Sequence, residues 1–297
     1  MRVLLWAVVL GCGSAKPPAE AAEPKTPAAA VPAVAVPSAD GCPDAPKTTL
    51  GTWTSLGSGV EHAWFAFDPP PPVGCNRLDV VRIDPAKVQF VAYTEHLHGK
   101  GQKTAKEWCD PNLGYVVTNL GMYHPDGRHV GYLAVDGQVD QATVVGDYRS
   151  VFLAGPKSDE QPGATIADFG GDSLEGPTKD WNIVSQNLRL IADPGKNVWS
   201  KQERRWSEAA LGRDGSGRIL ILHTRAAFTM AELNDRLLAM SLDLRQAMHL
   251  EGGPEASLSI CTPSFQLHAS GGFESGFSTD EERVQWPLPN VLAIAAK

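Results

Sequence analysis

The sequence predicts a strand-rich α+β fold, with a mixed-sheet core and few helices in a single domain. Three observations lead there. Apolar runs of strand length, bounded by Gly, Pro, Asn and Asp, recur along most of the chain. Only one stretch carries apolar residues at sustained helical spacing. No internal repeat divides the segment 46–297, and about 250 residues suffice for one substantial core.

The predicted strands are Leu78 to Ile83, Val88 to Tyr93, Tyr115 to Thr118, Val130 to Val135, Arg149 to Leu153, Ile183 to Leu190, Ile219 to His223, Ala247 to Leu250 and Ala256 to Ile260. Ala209 to Gly212, a turn at Asp214 to Arg218 and Ile219 to Leu222 read as a hairpin. Thr229 with Glu232 three residues on forms a capping box, so a helix starts near Met230. Leu233, Leu237, Met240 and Leu244 form its apolar stripe, and it frays at Ser241 to Asp243. Shorter helices are expected from Thr104 and over Ser200 to Trp206. Phe265 to Gly276 reads as a Gly/Ser-rich tail, and Val291 to Ala295 as a closing edge strand.

Residues 1–11 read as a lipoprotein signal peptide: Arg2, an apolar run from Val3 to Leu10 too short to span a bilayer, then Gly11 before Cys12. Val9-Leu10-Gly11-Cys12 matches a bacterial lipobox, which makes Cys12 the lipidation candidate. Residues 12–45 are Ala/Pro-rich and cannot bury a core, which suits a tether to a folded domain at 46–297. Gly13 after Cys12 gives no inner-membrane retention signal, so the expected address is the outer membrane, facing periplasm or cell surface.

With Cys12 lipidated, Cys42, Cys75, Cys109 and Cys261 remain, an even number that favours two disulfides in an exported protein. Three connectivities are open. In one, Cys42–Cys75 clamps the domain entrance and Cys109–Cys261 staples the core.

The formal net charge of −8 gives no footprint for nucleic acid or a polyanionic polymer, whereas one phosphate needs only one or two arginines. His96-Leu97-His98, read on a strand, puts both imidazoles on one face, with His124 and His129 further along, but two ligands do not make a metal site. No metal or cofactor is expected. The nucleophile elbow, the P-loop and the dinucleotide fingerprint are all absent from the sequence.

Chemistry is expected at Met248-His249-Leu250-Glu251-Gly252-Gly253. A lone carboxylate there ends a strand just before a glycine pair, where backbone can approach a ligand closely. His249 is read as a core or supporting residue, on the opposite face from Glu251.

The order of hairpin, capped helix, carboxylate-bearing strand, Gly-Gly turn and strand resembles the phosphodiester glycosidase family. Leu78 to Ile260 carries the resemblance. Thr118-Asn119-Leu120-Gly121-Met122-Tyr123 resembles that family's Asn-Gly-Gly-Tyr-Phe stretch, with one glycine and one aromatic displaced. Glu208-Ala209-Ala210-Leu211-Gly212 resembles its Arg-Thr-Ala-Ile-Gly block, with Arg204 and Arg205 out of register. His249-Leu250-Glu251-Gly252-Gly253, followed by Ser257, resembles its Asn-Leu-Asp-Gly-Gly block, with Glu for Asp and His for Asn.

The resemblance implies a hydrolase that cleaves a sugar from a sugar 1-phosphodiester on an envelope or extracellular glycan. Glu251 is then the carboxylate at the anomeric carbon, with Glu208 or Asp126 as second acid. Asn119, Tyr123, Arg204, Arg205, Gly252, Gly253 and Ser257 would bind substrate. The alternatives are a catalytically inactive, surface-anchored glycan-binding protein and a structural envelope lipoprotein, whose Gly-Gly turn would be exposed and convex.

Overall fold

The computed structural model describes residues 48–111, 114–272 and 284–297, all within one unit, Val34–Lys297. The signal peptide, the tether, Cys12 and Cys42 lie outside the described residues. The strands form three sheets, and every pairing between them is antiparallel.

The first sheet is built from β1 (Thr54–Gly57), β2 (Val60–Phe65), β3 (Leu78–Ile83), β11 (Arg189–Ala192), β12 (Lys196–Asn197), β13 (Trp206–Asp214), β14 (Ile219–Phe228) and β15 (Leu244–Gly252). Its order is β1-β2-β3-β14-β13-β15-β11-β12. The second contains β6 (Leu133–Val135), β7 (Gln138–Gln141), β8 (Ser150–Pro156), β9 (Ala164–Asp168) and β10 (Trp181–Asn187), ordered β7-β6-β10-β8-β9. The third contains β4 (Val88–Thr94), β5 (Val116–Asn119), β16 (Ser257–Thr262), β17 (Phe265–Ser270) and β18 (Asn290–Ala296), ordered β17-β16-β5-β18-β4. With short helices between them, α3 (Glu175–Asp180) among these, this is the predicted strand-rich α+β class.

One face of the large sheet shares a core with the other two sheets. Val81, Ile83, Leu211, Ile219, Ile221, Met248 and Leu250 pack with Val116, Leu258, Ile260, Leu292 and Ile294, and with Leu133, Phe152 and Ile183. The other face packs against α4 (Met230–Ala239) through Leu78, Val80, Ala210, Leu220 and Leu222, which meet Leu233 and Leu237. Sitting between two cores, β14 is buried at every position, which explains its unbroken apolar run. Truncating Leu211 or Leu222 to Ala costs about 2–5 kcal/mol, because neither site can collapse around the cavity.

The predicted capping box at Thr229/Glu232 forms before α4, and the helix expected from Thr104, α2 (Ala105–Trp108), opens with a capping box of its own, Thr104/Glu107. Asp214 closes the β13–β14 turn by accepting from Ser216 N and Arg218 N, both at 2.9 Å.

Four local expectations are corrected. Residues 200–205 are not helical, and Trp206 already begins β13. The Gly/Ser-rich tail forms β17 as far as Ser270, pairing along all of β16, because Phe265 and Leu267 face the core. β18 is interior, between β5 and β4, since Val291 and Ala293 join one apolar cluster while Leu292 and Ile294 join another. His96 and His98 lie in a one-turn helix, α1 (Glu95–His98), capped by Thr94 and Gly99, so strand alternation does not align them.

Candidate functional site

Glu251 stands near the end of β15, where a register shift decides which residues meet. Regular alternation would put His249 and Glu251 on one face. Instead β13 pairs Ala209 with Glu251 and Ala210 with His249, leaving Leu250 as the extra residue. Ala209 and Ala210 are consecutive, so their partners leave opposite faces. His249 and Glu251 are therefore on opposite faces as expected, but the cause is the bulge.

His249 thus shares a face with Glu208, and its Nδ1 lies 2.6 Å from Glu208 Oε1, with both side chains buried. Burial disfavours the imidazolium, but Glu208's charge and hydrogen bond outweigh it and raise His249's pKa. Burial likewise raises Glu208, opposed by His249 and less by Trp206. Glu208 is therefore coupled to Glu251 through His249 and the strand.

Burial pushes Glu251 up to about 7, against the pull of His249 and the Gly252 amide, which donates to Oε1 at 3.1 Å. Glu255 and Glu208 push it the same way as burial. A carboxyl poised near neutrality suits proton transfer at physiological pH.

The glycine pair is enclosed. A Cβ on Gly252 would lie 2.7 Å from Trp206 Cδ1, and Gly253 is buried at φ +65°. A Cβ on Gly271, just after β17, would lie 1.8 Å from Gly253 O. Gly271 N donates to Ala256 O at 2.6 Å, closing the end of β17 over the turn. The turn is therefore not the exposed one expected of the structural-lipoprotein alternative.

Asn119, at the end of β5, grips the loop after that turn. Its Nδ2 donates to Glu255 O at 3.0 Å, and its Oδ1 accepts from Ser257 N at 2.8 Å. Ser257 is buried, and its hydroxyl donates to Glu255 O at 3.1 Å. Both residues therefore hold the loop behind Glu251. Gly121 is needed here, since a Cβ would lie 2.1 Å from His129 Nε2 and 2.3 Å from Asn187 Oδ1.

Tyr123 reaches Glu251 electrostatically: its phenol pKa is raised by burial, then by the charges of Glu251 and Glu255. Tyr148, which the sequence reading passed over, is raised by burial and by Glu251. Asp126 sits in an exposed turn, accepting from Arg128 N at 3.1 Å and pairing with its guanidinium at 3.3 Å. Arg204 is exposed, and Arg205 pairs with Glu232 at the start of α4.

The cation built in beside the turn is Arg225, also missed. Its Nη1 donates to Ser270 O at 2.9 Å, Ser270 Oγ at 3.1 Å and Gly271 O at 2.7 Å. Ser207 links the same elements, donating to Arg225 O and accepting from Gly272 N, both at 3.1 Å. An arginine inside the buried run of β14 was the available signal. A second polar cluster joins β2 to β3: Asp79 accepts from Arg77 at 2.7 and 2.9 Å and lies 2.8 Å from His62 Nε2. Burial opposes its ionisation, but these partners hold Asp79 down at about 2.

Among the described residues no group of three or more His, Cys, Asp or Glu is arranged to hold a metal ion. Cys109 and Cys261 form a disulfide, and Cys75 is also disulfide-bonded.

A three-sheet antiparallel domain presenting a half-buried, near-neutral carboxyl at an enclosed Gly-Gly turn is laid out like a glycoside-cleaving hydrolase. The model of the phosphodiester glycosidase family matches residues 112–295, and the chain belongs to that family. This stretch begins and ends later than Leu78 to Ile260, where the sequence resemblance was read. No curated protein matches the chain. In fold it is similar to the catalytic domain of zebrafish N-acetylglucosamine-1-phosphodiester α-N-acetylglucosaminidase auto-inhibited by its pro-peptide, with TM-score 0.59 and 13% identity over 83% of this chain and 87% of that one. It is also similar to a hypothetical protein from Synechocystis, with TM-score 0.54 and 11% identity over 84% of this chain and 64% of that one.

Proposed function

We propose that the protein hydrolyses a sugar 1-phosphodiester, releasing the free sugar and a phosphomonoester. The observation that carries this reading is the Glu251 carboxyl, poised at about 7 in an enclosed turn within electrostatic reach of two tyrosines. Water attacks the anomeric carbon while Glu251 takes its proton. The C1–O bond breaks, and its electron pair leaves with the phosphate oxygen. A phosphomonoester anion is a stable leaving group, so the departing oxygen needs little protonation. The phenol of Tyr123, kept protonated by its raised pKa, is a donor for the phosphate or the sugar hydroxyls. In this scheme Glu208 is a positioning residue acting through His249.

The similarity to the zebrafish enzyme's fold makes the methyl phosphodiester of α-N-acetylglucosamine 1-phosphate the first probe. Incubating it, and a panel of other sugar 1-phosphodiesters, with wild type and Glu251→Gln tests the reading. Wild type should release sugar, and the variant should lose nearly all activity. Equal release by both sinks the role of Glu251, and no release by wild type favours a binding protein. We further propose that lipidated Cys12 anchors the domain at the outer membrane. Palmitate labelling that survives Cys12→Ser contradicts this.

A further inference from the structure

The end of β10, Ser185-Gln186-Asn187, is buried and wholly polar, and the proposed hydrolysis makes no use of it. Asn187 Nδ2 and Ser185 Oγ donate to Leu120 O at 3.1 and 3.3 Å, fixing the chain just after Asn119. Gln186 holds a different segment. Its Nε2 donates to Val145 O at 2.9 Å and Tyr148 O at 2.7 Å, while its Oε1 accepts from Val145 N at 3.0 Å and Tyr132 N at 3.2 Å. All four bonding positions of the amide are used, so a fully buried Gln rivets residues 145–148 to β10. Leu188 O accepts from His249 N at 2.9 Å, tying the same strand end to β15 two residues before Glu251.

Gly131 leaves room for the Tyr148 ring, since a Cβ there would lie 3.2 Å from Tyr148 Cδ2 and 2.4 Å from Gln186 O. Tyr148 is half-buried. Among the described residues no side chain or backbone group hydrogen-bonds its hydroxyl. A tyrosine whose loop is fixed by a saturated buried amide, while its own phenol has no protein partner, is arranged for a ligand.

We infer that Tyr148 is a sugar-binding residue, whose ring stacks on the pyranose of the sugar 1-phosphodiester and whose hydroxyl meets its polar edge, and that Gln186 is the positioning residue holding it. This rests on the sugar-phosphodiester reading of the Glu251 site.

Initial rates on the methyl phosphodiester of α-N-acetylglucosamine 1-phosphate, or whichever panel member wild type cleaves, test this together with melting temperatures. Tyr148→Ala should raise KM about tenfold or more at nearly unchanged kcat and Tm, the size of one aromatic contact. Tyr148→Phe should recover most of that loss, and Gln186→Ala should reproduce the rise in KM. A direct readout removes dependence on turnover: the same probe should slow hydroxyl-radical oxidation of Tyr148, read by mass spectrometry, in wild type. An unchanged KM in Tyr148→Ala, with Tyr148 unprotected while wild type still cleaves, overturns the inference and leaves the hydrolase reading standing. Protection of Tyr148 without cleavage supports the inference and sinks the hydrolase.

Discussion

Asn119→Ala separates holding the loop from touching the substrate. The substitution deletes the bonds at 3.0 Å to Glu255 O and 2.8 Å from Ser257 N, the latter inside the protein. Two such bonds are worth about 1–3 kcal/mol net, with further cost where Ser257 N stays unpaired. For a domain of this size that lowers Tm by roughly 2–12 °C. The loop follows Glu251 directly, so its loosening shifts the carboxylate, and a displacement of about 1 Å costs on the order of 100-fold in rate. Differential scanning calorimetry and steady-state kinetics should therefore show a lower Tm and lower kcat, with little change in KM. Asn119→Asp keeps the acceptor for Ser257 N but sets a carboxylate against Glu255 O, and should be no better. A raised KM with Tm and kcat unchanged refutes the reasoning and returns Asn119 to the substrate.

Glu208→Gln removes the charge that raises His249's pKa, which weakens the pull of His249 on Glu251 by more than the smaller direct push of Glu208 lost with it, so Glu251's pKa climbs; the limb of the pH–rate profile that reports Glu251 should move to higher pH, and an unmoved limb contradicts the coupling. Stability should fall or level off as pH rises above 6.5. His129 and His223 are pushed by burial from 6.5 to about 4, so unfolding takes up protons and stability is lost as pH falls from 6.5 towards 4. Glu251, raised from 4.5 to about 7, acts oppositely: the folded state holds its proton, and stability is lost as pH rises through that window. The raised Glu208 acts in the same sense as Glu251, and above 6.5 the raised His249 adds to the loss, so a Tm still climbing past pH 8 in calorimetric scans contradicts the assignment. Reducing Cys109–Cys261, 152 residues apart, should cost on the order of 5 kcal/mol, or roughly 10–20 °C in Tm, and an unaltered melting curve after verified reduction refutes its role as a staple.

Where local rules governed an element, the sequence showed it. Thr104 and Thr229 mark the starts of their own helices, the apolar run opening β14 announces a strand because burial on both faces leaves no polar alternation, and β4 announces one by alternating buried and exposed positions. β17 and the interior place of β18 were hidden because sheet order is a long-range property: Asn290–Ala296 pairs with strands that lie near 90 and 117. In the site, the carboxylate, the enclosed glycines and Asn119 were legible as a group. The roles of Asn119 and Ser257 were not, since a motif does not tell whether an amide faces ligand or backbone. The Glu208–His249 contact depends on one extra residue in β15, which no periodicity reveals. Arg225 was concealed by the apolar run around it, and Tyr148 by a loop whose anchor, Gln186, is distant in sequence.

Hydrolysis in ¹⁸O-labelled water, read on the phosphate by ³¹P NMR isotope shift, tests most directly whether the glycosidic or the phosphate bond breaks. The phosphate is diagnostic because a free sugar's anomeric oxygen exchanges through ring opening. Attack at the anomeric carbon, with Glu251 taking the proton, predicts a phosphomonoester free of ¹⁸O. Label in the phosphomonoester would show that water attacks phosphorus and would contradict the glycosidase account.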